Sequence, residues 1–93
     1  MSKPSTIVNL PTILRPHAGG SRRVEASGRT IGEVFATLGD RHPGLAQQLS
    51  PAGDLPVFVN VFLDDEDIRY LDGLDTTVDE GSEITILPAV AGG

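Results

Sequence analysis

The sequence predicts an α+β domain in which a mixed sheet packs on one main helix, and three observations predict it. One stretch has apolar residues at helical spacing. Strand-like stretches lie on both sides of it, the strongest of them toward the end of the chain. Finally, 93 residues with 39% hydrophobic content are enough to bury one core but not two.

Taken in order, the elements are strand, strand, helix, strand, strand. In the first segment Val8 and Leu10 share one parity and Asn9 has the other. Pro11 and Pro16 then predict irregular backbone, and Gly19-Gly20 offers a turn into a second short strand around 23–26. Thr30-Ile31-Gly32-Glu33 fits a capping box, in which Thr30 accepts from the Glu33 amide while Glu33 reaches back to the cap amide. Ile31, Val34, Phe35 and Leu38 follow as one apolar stripe, giving a helix over 30–38 that Pro43 stops at or before His42. Leu45 and Leu49 share one face of a brief second turn ending near Ser50-Pro51. The strongest strand is 57–63, β-branched or aromatic except at Asn60 and the closing Leu63. Turns at Asp72-Gly73 and Glu80-Gly81 flank 76–78; the last strand is 84–87, closed by Pro88, which has no N–H to donate.

Composition excludes several function classes. Seven Lys+Arg against thirteen Asp+Glu leave a net charge of −6, which lacks the basic footprint of a nucleic-acid binder. No apolar run is long enough to span a bilayer, and the first residues do not resemble a secretory signal, so a cytoplasmic protein is expected. Cysteine is absent, which removes disulfides, thiolate metal sites and Cys nucleophiles. The charge is unevenly spread: residues 1–53 balance at +3 and residues 54–93 at −9, with Arg69 the one basic residue in the second part. Its run Asp64-Asp65-Glu66-Asp67 is expected to be a solvated turn, or else to meet a basic partner.

Strand parity distinguishes two sheet faces. Val57, Val59, Val61 and Leu63 form an uninterrupted aliphatic face suited to pack on the helix stripe, with Ile84 and Ile86 beside them. The other face carries Phe58, Asn60, Phe62, Thr85 and Leu87, and an unpaired Asn in a dry core would be costly. Phe58, Phe62 and Leu87 are therefore a candidate partner-docking patch, unless the connection over 41–56 folds across them.

Internal catalysis has no cast. His17 and His42 are the only histidines, and they lie far apart in the sequence. The acidic run lacks calcium-loop spacing, so no metal site and no bound cofactor are expected. Attention moves to residues 88–93. This segment is uncharged, follows a strong strand and ends Val90-Ala91-Gly92-Gly93. Fully extended, six residues reach roughly 20 Å. Glycine lets backbone pass through a narrow channel, and a terminal carboxylate without a side chain suits activation as an acyl-adenylate. The expected organisation is a domain over 1–87 and a flexible tail over 88–93.

The Glu80-Gly81-Ser82-Glu83 turn, the strand after it, Pro88 and Gly92-Gly93 together resemble the ending of the ThiS/MoaD sulfur carriers, ubiquitin-like proteins of the β-grasp fold. The likeness extends to the initial strand, the 30–38 helix and a hairpin over 57–67. Segments 11–20 and 59–69 are similar to the actinobacterial branch that feeds sulfur to a PLP-dependent cysteine synthase.

The resemblance implies a β-grasp sheet with its first and last strands parallel at the centre, and a chain that is a co-substrate rather than an enzyme. An E1-like adenylating enzyme would use ATP on the Gly93 carboxylate, and sulfur would displace AMP to leave a thiocarboxylate. Val90, Ala91 and Gly92 would be the residues the partners recognise. In the cysteine branch that sulfur attacks an aminoacrylate on PLP, an acyl shift follows, and a zinc metallopeptidase releases cysteine. ATP, PLP and zinc would thus belong to partner enzymes, and Phe62 and Leu87 fall where ubiquitin-like proteins dock. The same tail fits a small subunit of molybdopterin synthase. It also fits a ubiquitin-like modifier, although with Lys3 the one lysine, chains built on itself would have a single site. Thiazole-pathway carriers are typically shorter.

Overall fold

Alternation starts the sheet: Thr6 and Val8 are buried while Ser5, Ile7 and Asn9 are partly covered, giving β1 over Ser5–Asn9. The computed structural model describes residues 4–49 and 59–88. After β1 the two-proline stretch is not irregular but a 3-10 helix, Thr12–Ala18, with Pro16 inside it. Its Leu14 and Ala18 are buried, so packing holds a turn that proline would otherwise disfavour. Gly19 (φ 66°) and Gly20 (φ 87°) take the left-handed backbone that ends it, and Gly20 N–H donates to Arg15 O at 2.7 Å. Strand β2, Arg23–Ser27, then runs antiparallel to β1.

Helix α1 spans Ile31–Arg41, longer than the apolar stripe alone indicates, and has His42 as its C-cap directly before Pro43. Thr30 Oγ1 accepts from Glu33 N (3.2 Å), as the capping box requires. The Glu33 carboxylate reaches past the cap and accepts from Arg29 N at 3.0 Å. Ile31, Val34, Phe35 and Leu38 are buried, each such side chain contributing about 1.5–3 kcal/mol of burial free energy. The brief second turn is a two-turn helix, α2, over Pro43–Leu49, with Leu45 and Leu49 fully covered.

Strand β3 (Val59–Leu63) turns at Asp64-Asp65 into a two-residue strand β4 (Glu66–Asp67), so the acidic run forms a tight hairpin with exposed carboxylates at its tip. Short 3-10 helices at Ile68–Tyr70 and Gly73–Asp75 lead to an extended tie in which Thr30 bridges Thr77 and Ile31 N–H donates to Thr76 O (3.1 Å). Strand β5, Glu83–Pro88, closes the sheet in the order β2-β1-β5-β3-β4, with β1 and β5 parallel at its centre. This is the ubiquitin-like β-grasp arrangement.

Pro88 lies inside β5 opposite Val59, one residue beyond the expected end of the strand. Asp64 N–H donates to Glu83 O (2.9 Å), so residues 83, 85 and 87 turn their backbone groups toward β3. Pro88 thus faces the β1 side, and β1 pairs with β5 only as far as Thr85. Its missing N–H falls where no ladder bond is made.

Candidate functional site

The proposed sulfur-attachment residue Gly93, the recognition residues Val90, Ala91 and Gly92, and Phe58 of the docking patch lie outside the described residues. What the structure describes is the root from which that segment continues: Leu87 and Pro88, which run past the end of β1 and are paired on the β3 side alone. Asn60 pairs with Leu87 and Val59 with Pro88, so the last two residues of β5 are braced by the first two of β3.

Val59, Val61, Ile84 and Ile86 are buried against the helices. Asn60, Phe62 and Thr85 on the opposite face are partly covered, and Leu87 is 46% exposed. Phe62 lies between Thr85 on β5 and Asp67 on β4, so its ring is flanked on both neighbouring strands by polar side chains. The outer face is thus a mixed surface, with Leu87 its most open apolar residue. Beside it, Asn9 Nδ2 donates to Glu83 Oε2 (2.8 Å) and Thr85 Oγ1 (3.3 Å), and Arg23 stands 3.9 Å from the same carboxylate. These bonds order the polar half of the face next to the strand that leads to the tail.

Arg69 is the residue that reasoning from the sequence missed. Its Nη1 donates to Asn60 Oδ1 (2.8 Å) and its Nη2 to Val59 O (3.3 Å), while Nη1 lies 3.9 Å from Asp67 Oδ2. Asp67 also accepts from Arg69 N–H (2.9 Å) and caps the 3-10 helix that carries it. Strand β4 pairs with β3 only at Phe62 and Leu63, so the guanidinium extends the sheet edge where backbone pairing stops. The signal was present as the one basic residue in an acidic half. In the sequence it counts only as a charge, because no local pattern says what a long side chain reaches.

The same bonds account for Asn60, whose amide oxygen accepts from a cation rather than facing bare water or core. Every buried side-chain nitrogen and oxygen among the described residues has a partner. Thr6, buried inside the sheet, donates to Ser82 O at 3.0 Å.

Folding does bring the two histidine segments together. His17 packs so closely on Gly44 that a Cβ there would lie 2.8 Å from Nδ1, and Gly44 is two residues beyond His42. No group of three metal-ligating side chains forms among the described residues, and none of their helices is long and apolar enough to cross a membrane.

The ThiS family profile matches residues 8–93. The sulfur carrier protein CysO of Mycobacterium tuberculosis is 48% identical over 89 residues, covering 92% of this chain and 96% of that protein. Among solved structures, a chain of the Amycolatopsis orientalis BexX/CysO complex superposes with a TM-score of 0.87 at 45% identity, covering 95% of this chain and 99% of that one. The solution structure of small archaeal modifier protein 1 from Methanosarcina acetivorans superposes at 0.83 with 32% identity, covering 97% of each chain.

Proposed function

Because the chain belongs to the ThiS family, we propose that it is a sulfur carrier whose Gly93 carboxylate is adenylated, converted to a thiocarboxylate and used as a sulfur donor for cysteine biosynthesis. The observation that carries this reading is the likeness to CysO along almost the whole of both chains, together with a family match that runs to residue 93.

The chemistry asks little of this chain beyond its last residues. The Gly93 carboxylate attacks the α-phosphorus of ATP, pyrophosphate leaves, and the carboxyl becomes a mixed anhydride. A sulfur nucleophile then adds to that carbonyl and AMP leaves, so one carboxylate oxygen is exchanged for sulfur. An E1-like enzyme supplies the site for both steps. A PLP-dependent cysteine synthase would consume the thiocarboxylate, and a zinc metallopeptidase would release cysteine and regenerate Gly93. The absence of cysteine from this sequence is compatible with that role, since the transferred sulfur sits on the main-chain terminus. In this reading Phe58, Phe62 and Leu87 dock partners, and Gly92 leaves the approach to the carbonyl open.

The likeness to a small archaeal modifier protein supports a second reading, conjugation of the same carboxylate to lysine amines. Intact mass separates the two. After incubation with ATP, a sulfide source and the E1-like enzyme, the carrier reading expects a species with one oxygen replaced by sulfur. It then expects cysteine-forming turnover with the synthase and O-phosphoserine. Lysine-linked conjugates without any thiocarboxylate species would overturn it.

A further inference from the structure

We infer that the end of the domain where β5 finishes is a docking surface for the acidic, apolar-lipped mouth of the protein that receives the tail. The inference rests on the carrier reading and adds where the partner sits and what chemistry it presents.

Parallel β1 and β5 finish at one end of the sheet, and β3 begins there. The 3-10 helix that follows β1 starts at this end, and Arg69 pins the Ile68–Tyr70 helix beside the first residues of β3. Three of the four large hydrophobic residues that stand exposed among the described ones belong to these segments: Ile13 at 58%, Tyr70 at 88% and Leu87 at 46%. One such residue needs no explanation, but three of them on the segments at one end of an otherwise well-packed domain do. Tyr70, almost wholly in solvent, has no part in the core that would account for it.

Reach makes this end the contact. Gly93 is the fifth residue beyond Pro88, and fully extended that stretch spans at most about 18 Å. An enzyme that closes around the Gly93 carboxylate must therefore bring its surface up to the rim around Pro88.

Charge says what that surface presents. Arg22 and Arg23 are exposed at the same end, Arg22 O accepting from Leu10 N–H and Arg23 pairing with Asn9 at the finish of β1; Arg23 is partly balanced by the Glu83 carboxylate at 3.9 Å, which leaves Arg22 the more open charge. Asp64, Asp65, Asp79 and Glu80 lie in the turns at the opposite end. A molecule so polarised turns its basic, tail-bearing end toward an acidic mouth and is repelled from presenting its other end. Tyr and Arg are also the residue types that most often dominate interface energetics.

The test uses the full-length chain and the purified E1-like adenylating enzyme of the same organism, with pyrophosphate release followed against carrier concentration. Tyr70→Asp and Ile13→Asp should each raise KM about tenfold while kcat at saturation stays within about twofold, because the tail and Gly93 are untouched. The doubly reversed Arg22→Glu, Arg23→Glu chain should raise KM at low salt and lose most of that effect at high salt. Asp65→Asn, at the far end, should leave KM unchanged. Should an aspartate variant melt below the parent chain, Tyr70→Ser and Ile13→Ser give the same comparison.

Wild-type KM in both apolar variants overturns the inference. Wild-type KM in the arginine pair at low salt overturns the acidic mouth. A parent chain that releases no pyrophosphate overturns the carrier reading itself, a result that no rim variant can imitate.

Discussion

At the end of the sheet where β5 begins, polar side chains and backbone bonds tie turn to turn; at the end where it finishes, arginines make the ties, Arg15 to Leu10 O and Arg69 to Val59 O, and large apolar side chains stand exposed beside them. The first end is tied by Glu80 to Ser5 N–H, by Asp64 and Glu83 to each other's backbone, by Thr30 to Glu33, and by Glu33 to Arg29. Arg29 and Thr76 also anchor Val78 and Ile31 through backbone bonds. The second end carries Leu87, Tyr70 and Ile13 in solvent. The difference teaches that, if the proposed docking surface holds, recognition falls where exposed apolar side chains are concentrated, while the denser set of polar ties fixes the opposite end.

Four perturbations break or sharpen that division. The largest expected effect is on function alone: deleting Gly93 should abolish thiocarboxylate formation in the mass spectrum, while thermal melting stays that of the parent. A lowered melting temperature would mean that the tail contributes to the core after all. Next comes a change at the tied end, Gly28→Ala. A Cβ there would lie 2.6 Å from Val34 N and 2.9 Å from Glu33 C, backbone atoms of α1 that cannot give way singly. Urea unfolding should show a loss of about 2–3 kcal/mol, with sulfur loading at saturating enzyme unchanged.

Arg69→Ala tests the brace at the root. It removes the donors to Asn60 Oδ1 and Val59 O, and should cost about 1 kcal/mol together with faster amide exchange near Val59. Unchanged exchange would show that water replaces the guanidinium without loosening β3. The smallest effect is expected of Asp65→Gly. Asp64 and Asp65 hold φ of 48° and 77° in the hairpin turn, and glycine at the second position should raise stability by about 0.5 kcal/mol. Partner binding should not change.

Parity made much of this legible beforehand. Val59, Val61, Ile84 and Ile86 were expected inside, and they are buried; Leu87 was expected outside, and it is. The α1 stripe and its Thr30 cap were equally readable, because both depend on residues within a few positions of one another. The 3-10 helix through Pro16 was not, since its stability comes from Leu14 and Ala18 packing on distant segments. Nor was Pro88 inside β5, because the harmlessness of its missing donor depends on where β1 stops pairing. Of the candidate site, Gly92 and Gly93 are proposed from the sequence alone and lie outside the described residues, while no local pattern marks Tyr70 or Ile13. An apolar residue in a turn-rich stretch carries no local sign of being left uncovered.

By itself the sequence determined the helix, the strand faces, the absence of a thiol and the glycine ending, since each follows from periodicity over a few residues or from composition. Tertiary structure alone decided which end of the sheet bears the tail and what surrounds it. Parallel pairing of β1 with β5 joins residues 76 positions apart, as Asn9 and Thr85 are. Only that closure gathers Ile13, Tyr70, Leu87 and the two arginines at one end and the acidic turns at the other. Charge and apolar area are properties of a surface, and a surface exists only once distant segments have met.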